Sequence, residues 1–150
     1  MSNTTAWGVT SAEAVPAIES RVLIALPRRP AGSEAVARLV EEACAIVAEH
    51  LPVRCRRAAE LTTPEAVVEA VREASLLVAD LGGIDPAVAF ALGCGEALER
   101  EIVVLHATGA VSPPAARGWR RIAYAEDDPA PARVRLVHTL RAALEGGDYD

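Results

Sequence analysis

The segment Leu76–Leu98, LLVADLGGIDPAVAFALGCGEAL, constrains the fold of this chain more than any other. Its first four residues are apolar without polar alternation, which indicates a central parallel strand covered on both faces. Asp80 marks the point where this strand leaves the core, and a glycine-rich turn follows it. Asp85 is then an expected N-cap, with Pro86 at the first helical position, where a missing N–H costs nothing. The segment therefore predicts a strand, a turn and a helix.

Strands and helices alternate along the rest of the chain. Short apolar runs predict four further strands, at 21–27, 51–55, 101–106 and 121–124. Segments with helical periodicity lie between or after them, and two of these segments begin at the capping residues Ser33 and Thr63. Alternation of this kind implies right-handed crossovers and a parallel sheet. We predict a three-layer flavodoxin-like α/β domain with one five-stranded parallel sheet in the order 2-1-3-4-5.

The 150 residues suffice for one domain with a proper core and are too few for two. We assign 21–150 to this domain and interpret 1–20, which are mostly small and polar, as a flexible N-terminal leader. No signal-peptide pattern begins the chain, and no segment approaches the roughly 20 apolar residues that span a membrane. We therefore expect a cytoplasmic protein with no membrane partner.

Charge and cysteine content exclude several classes of function. A net charge of -6 disfavours a nucleic-acid partner, although a local arginine cluster could still hold one nucleotide. All 15 basic residues are arginine, which excludes a Schiff-base lysine and a P-loop lysine. Cys44, Cys55 and Cys94 are odd in number, widely spaced and embedded in apolar segments. Neither a disulfide framework nor a metal site is indicated, so we expect buried thiols and no cofactor.

The loops that follow the strands form the ligand crevice in open parallel sheets. This rule places Asp80, Gly82, Gly83 and Asp85 where a ligand would bind. Asp85 has an equally good interpretation as a helix cap alone, and the two roles are compatible. Asp80 could also serve only to hold loop amides by hydrogen bonds.

Other candidates follow the remaining strands. Arg28 and Arg29, after the first strand, match phosphate oxygens and precede a helix N-terminus, but a solvated pair of charges explains them equally well. Glu60 follows the second strand, where a solvated loop carboxylate is the simpler interpretation. His106 ends the fourth strand, and a single histidine there is more often structural than catalytic. Phe90 is expected in the core.

Several segments resemble one known superfamily, the nucleoside 2-deoxyribosyltransferase-like and TIR-like domains. Residues 74–98 are similar to its signature of a strand, DLTG, N-P-N and E-L-G-x-A-x-A-L. RVLIALP resembles its first strand, CRRAAE the segment after its second strand, and RIAY its fifth, so that the resemblance covers about 21–144. It implies a flavodoxin-like fold and enzymes that cleave N-glycosidic bonds of deoxynucleosides, nucleoside monophosphates or NAD.

The resemblance also implies a catalytic glutamate in the signature helix, helped by an aspartate a few residues earlier. The aspartate corresponds to Asp85, but Ala91 stands at the glutamate position. Cleavage of a ribosyl bond develops positive charge at the sugar carbon, which a carboxylate must share and a methyl group does not.

We therefore predict a domain that recognises a nucleotide, a nucleoside or an NAD-like molecule and is a catalytically degenerate relative of N-glycosidases, acting in signalling or regulation. An alternative is an active N-glycosidase or deoxyribosyltransferase in which Glu60, Asp80 or Asp85 supplies the carboxylate. A second alternative is a TIR-like interaction module with a protein partner or a second copy of the chain.

Overall fold

The computed structural model describes residue 7 and the ranges 19–27, 34–82, 85–109 and 118–145. In these ranges the chain forms β1 (Ser20–Ala25), α1 (Glu34–Ala48), β2 (Val53–Arg57), a 3₁₀ turn (Ala58–Glu60), α2 (Pro64–Glu73), β3 (Leu76–Asp80), α3 (Pro86–Ala97), β4 (Glu101–Ala107), β5 (Arg120–Tyr124) and α4 (Ala130–Leu144). The strands form one sheet in the order β2-β1-β3-β4-β5, and every neighbouring pair is parallel. The predicted flavodoxin-like topology is confirmed.

Helices cover both faces of the sheet and produce three layers. Alternate residues of β3 enter different clusters: Leu76 and Val78 pack with α1 and α4, whereas Leu77 and Ala79 pack with α2 and α3. The whole strand is buried, as the unbroken apolar run predicts for a strand with helices on both sides. The carboxyl ends of the strands therefore meet at one edge between the two helical layers.

Two predicted helix caps are confirmed. The Thr63 hydroxyl accepts a hydrogen bond of 3.1 Å from the Ala66 amide at the start of α2. The Asp85 carboxylate accepts hydrogen bonds of 2.8 Å from the Ala87 amide and 3.4 Å from the Val88 amide at the start of α3. The third predicted cap, Ser33, lies outside the described residues.

The second strand begins two residues later than predicted and includes Arg56 and Arg57. These arginines pair with Leu23 and Ile24 of β1. A strand at the edge of a sheet tolerates such charged residues, because only one of its sides is covered by a neighbouring strand. The pattern LPVRC therefore identified the strand. Its hydrogen-bonded pairing with β1 continues through Arg56 and Arg57, which the sequence alone suggested were loop residues.

Trp7, within the predicted leader, is buried in the described structure. Its side chain is 2% exposed and packs with Ala70 and Val71 of α2. The indole N–H donates a 3.3 Å hydrogen bond to the Ala70 carbonyl, and the Trp7 carbonyl accepts one of 2.8 Å from the Arg54 guanidinium. At least this residue of 1–20 is thus held against the domain. Among the described residues, no helix is long and apolar enough to cross a membrane.

Candidate functional site

An apolar crevice lies at the carboxyl end of β1. It is bounded by Leu26 after β1, by the 3₁₀ turn with Leu61 behind it, by Val67 of α2 and by the first turns of α3. The volume is about 80 Å³, and every described residue that lines it is apolar. β1 is the strand beside β3, so the crevice adjoins the point where the strand order reverses, which is where ligands bind in folds of this type.

Phe90 is the exposed aromatic residue of this crevice. The prediction that it belongs to the core is wrong, because its side chain is 43% exposed and lines the crevice wall. The buried face of α3 is formed instead by Val88, Ala91, Leu92 and Gly95. At 100° per residue, Phe90 points away from that face and toward the open side of the helix.

Asp80 is fully buried and engaged in hydrogen bonds at the end of β3. Its Oδ1 accepts a 2.9 Å bond from the Gly82 amide and a 3.2 Å bond from the Tyr124 hydroxyl of β5. Tyr124 belongs to the cluster on the α1 and α4 side, so Asp80 faces that layer. Hydrogen bonds of this kind stabilise a carboxylate that has lost its contact with water.

His106 lies on the other face of the sheet. Leu105 packs into the cluster with α1 and α4, so the alternation of β4 directs His106 toward the layer of α2 and α3. Its Nδ1 is 3.2 Å from the Ala107 carbonyl oxygen. Asp80 and His106 therefore lie near the carboxyl ends of neighbouring strands but project from opposite faces, and they do not form one cluster.

Glu60 and Asp85 both have structural contacts. The Glu60 carboxylate is 3.5 Å from the Arg56 guanidinium, and its side chain is 57% exposed. Asp85 caps α3 through the amides described above. Neither carboxylate lines the apolar crevice, although both belong to segments beside it. Three other predicted site residues, Arg28, Arg29 and Gly83, lie outside the described residues.

Ala91, at the position that the resemblance assigns to a catalytic glutamate, is completely buried. It packs in the cluster between α3 and the sheet, with Leu77, Val104 and Leu92 among the members of that cluster. A glutamate side chain at this position would be directed into an apolar layer in the described structure.

Two residues near the strand ends make side-chain contacts to distant elements, and the partners of these contacts were not predicted from the sequence. Tyr124 was assigned only to a strand, although a buried tyrosine usually requires a partner for its hydroxyl. Trp119 precedes β5 at the amino edge of the sheet, and its indole N–H donates a 2.7 Å hydrogen bond to Glu96 of α3. This position is at the opposite edge from the crevice, so Trp119 anchors its segment there.

The three cysteines differ in exposure. Cys44 is buried and Cys94 is partly exposed, but Cys55 is exposed, so the expectation of buried thiols is wrong for Cys55. This residue is exposed because β2 is an edge strand. Within the described ranges, no three His, Cys, Asp or Glu side chains are grouped so that they could hold a metal ion.

Comparisons with known proteins relate this chain to others by structure alone. No protein-family model and no curated protein matches its sequence. The flavodoxin-like domain of a Synechococcus sp. protein is similar with a TM-score of 0.57 and 16% identity, over 83% of this chain and 96% of that one. The Clostridium botulinum CMP N-glycosidase BcmB is similar with a TM-score of 0.55 and 18% identity, over 81% and 97%.

A diflavin flavoprotein A3 from Nostoc sp. is a further structural neighbour. Its TM-score is 0.55 with 12% identity, over 87% of this chain and 99% of that one. At such low identities these similarities establish the flavodoxin-like fold, and fold alone does not define a function.

Proposed function

We propose that this domain binds a nucleotide or nucleoside in the crevice and leaves its glycosidic bond intact, as a catalytically degenerate relative of N-glycosidases that acts in signalling or regulation. The observation that carries the proposal is the apolar crevice with Phe90 on its wall at the switch point of the sheet. An exposed aromatic ring beside a small apolar recess suits a flat heteroaromatic base, which stacks on the ring.

The state of the carboxylates supports binding without cleavage. Asp80 is buried on the face opposite to α3 and accepts hydrogen bonds from Gly82 and Tyr124. Asp85 is engaged as a cap of α3, and Glu60 faces Arg56 in an exposed ion pair. An N-glycosidase needs a carboxylate directed at the sugar carbon, and each of these three already has another contact in the described structure.

The class of ligand rests on two supports. A CMP N-glycosidase shares the fold, and its name states that it acts on a nucleotide. Arg28 and Arg29 follow β1 directly in the sequence, and their guanidinium groups match phosphate oxygens. We therefore expect a nucleoside monophosphate to bind more tightly than the corresponding nucleoside.

A thermal-shift screen tests the proposal, with deoxynucleosides, nucleoside monophosphates, NAD and FMN as probes and chromatographic analysis of the same samples. A probe at a hundred times its dissociation constant should stabilise the fold by about 2.7 kcal/mol. For a domain of this size, each kcal/mol raises Tm by about 2–4 °C. We expect a saturable shift with a nucleotide and no release of free base.

The Phe90→Ala variant locates the binding site. Loss of one base-stacking contact costs about 1–3 kcal/mol, which corresponds to affinity lowered about 5- to 150-fold. Val134→Ala is the matched control, because Val134 is also a large exposed apolar residue, 60% exposed, but lies on α4. Equal affinities of the two variants would place the ligand elsewhere.

The other outcomes of the screen lead to different functions. Release of base that is abolished by Glu60→Ala, Asp80→Ala or Asp85→Ala would replace this proposal with the N-glycosidase or deoxyribosyltransferase. A shift with FMN alone would indicate a flavin-binding protein. The absence of any shift, together with self-association measured by analytical ultracentrifugation, would favour the interaction module.

A further inference from the structure

Two cysteines that do not line the crevice lie close together between α1 and β2. Cys44 lies on the buried face of α1, with 5% of its side chain exposed, and Cys55 lies in the edge strand β2. Cys55 pairs with Val22 of β1, and Val22 packs in the same cluster as Cys44. The side chains of Cys44 and Cys55 interact with each other, and α1 and β2 are in contact. A buried thiol and a solvent-accessible thiol are therefore adjacent.

The pKa values of the two thiols are shifted in opposite directions. A hydrogen bond from Cys44 lowers the pKa of Cys55, although burial acts in the opposite direction. The same hydrogen bond is the largest cause that raises the pKa of Cys44, followed by burial and by the charge on Cys55. Cys55 is therefore the better nucleophile, because it is exposed whereas Cys44 is buried, and because the thiolate is the reactive form of cysteine. Once Cys55 has reacted, two of the causes that keep Cys44 protonated are removed.

A second contact holds the same two elements together. The Arg57 guanidinium of β2 forms an ion pair with the Glu41 carboxylate of α1. Glu41 lies one helical turn before Cys44, and Arg57 lies two residues after Cys55 on the same side of the strand. The ion pair and the dithiol thus join α1 and β2 at adjacent positions, and a covalent bond between the cysteines would link elements that are already in contact.

We propose that Cys44 and Cys55 form a redox-active dithiol site that reacts with small-molecule disulfides, with Cys55 as the attacking thiol and Cys44 as the resolving thiol. The Cys55 thiolate attacks one sulfur of the small disulfide, forms a mixed disulfide and releases one thiolate. Cys44 then loses its proton and attacks the Cys55 sulfur, which forms the internal disulfide and releases the second thiolate. Both cysteines are oxidised, and the small disulfide is reduced to two thiols.

Incubation of the full chain with oxidised glutathione tests this site. We expect two of the three free thiols to be lost. The intact mass should fall by about 2 Da, the two hydrogens removed in the exchange, and digestion should yield a peptide that links Cys44 to Cys55. Cys94→Ser is the matched control and should still form the internal disulfide. A wild-type product in which glutathione remains on Cys55, or retention of all three thiols, would overturn the proposal.

Two variants separate the roles of the cysteines. Cys44→Ala should trap the mixed disulfide as one stable glutathione adduct on Cys55. Cys55→Ser changes an exposed residue, so this variant is expected to fold more readily than Cys44→Ala. In Cys55→Ser, Cys44 should stay unmodified because that thiol is buried. With limiting iodoacetamide, Cys55 should be alkylated before Cys94 in the wild-type protein. Alkylation of Cys94 first, or an adduct on Cys44 in Cys55→Ser, would contradict the assigned roles.

Discussion

The two faces of α3 have similar small residues but different surroundings. On the inner face, Ala91 is fully buried, and a Cβ atom added to Gly95 would lie 2.9 Å from Leu77 Cδ2 and 3.2 Å from Ile102 Cδ1. On the outer face, Ala89 is exposed, and a Cβ atom added to Gly93 would meet nothing within 4 Å. Small residues are required on the inner face for close packing on β3 and β4. The outer face has no such constraint and carries Phe90 at the crevice.

The largest difference is expected from a carboxylate placed on each face. Ala91→Glu puts an unpaired charge into an apolar layer and should lower the free energy of unfolding by about 3–5 kcal/mol. Ala89→Glu, two residues away on the exposed face, should change it by about 0.5 kcal/mol or less. Urea unfolding of both variants measures the difference. Similar midpoints would mean that α3 does not pack on the sheet through Ala91.

A methyl group gives a finer test of the same faces. Gly95→Ala should destabilise the fold by about 1–3 kcal/mol, because Leu77 and Ile102 are themselves buried and have little room to move. Gly93→Ala should stabilise it by about 0.5–1 kcal/mol, because alanine restricts the unfolded chain and is the better helix former. Thermal unfolding should therefore shift Tm in opposite directions, and shifts of the same sign would contradict the packing.

Two substitutions of Asp85, at the N-terminus of α3, distinguish its capping role from any further role. Asp85→Ala removes the acceptor of the Ala87 and Val88 amides and should cost about 1 kcal/mol. Asp85→Asn keeps a capping oxygen and should be almost neutral. Thr63→Ala at the start of α2 serves as a reference for the loss of a single cap. An Asn variant as unstable as the Ala variant would show that the charge of Asp85 has a further role.

The smallest effect is expected across the crevice from Phe90, at the 3₁₀ turn. Glu60→Gln removes an exposed ion pair with Arg56, and such pairs contribute about 0–1 kcal/mol. The change should be near the lower end of that range and should shrink further at high salt, because exposed charges are screened. Chemical unfolding at low and high salt measures it. A loss well above 1 kcal/mol would indicate that Glu60 has a structural role that the ion pair does not explain.

Local patterns predicted most of the fold. Thr63-Pro64 and Asp85-Pro86 marked two helix starts, because a capping side chain and a proline act on amides within one turn. The uninterrupted run 76–79 marked the central strand, because a strand covered on both faces has no polar side. The second strand was misplaced by two residues. Arg56 and Arg57 belong to it only because they pair with β1, and that pairing has no signal in the local sequence.

The candidate site was less predictable. Asp80 lies at the end of a strand, as expected. Its hydrogen-bond donor, the Tyr124 hydroxyl, lies 44 residues later in the chain, in another strand. Phe90 was assigned to the core, because the small residues of α3 leave no clear apolar stripe from which its inner face could be identified. The proximity of Cys44 and Cys55 had no sequence signal, since each is simply a cysteine in an apolar segment.

The sequence by itself determined the order of elements along the chain and two of the helix caps, because these depend on short-range hydrogen bonding and on the periodicity of apolar residues. The predicted order of strands in the sheet followed from the rules for right-handed crossovers and is confirmed. The tertiary structure decided which side chains meet. It directed Asp80 and His106 to opposite faces, exposed Phe90 at the crevice, buried Ala91 and brought two thiols together. The physical reason is that side-chain direction depends on strand register and helix rotation, which are set only when elements distant in the chain pack against one another.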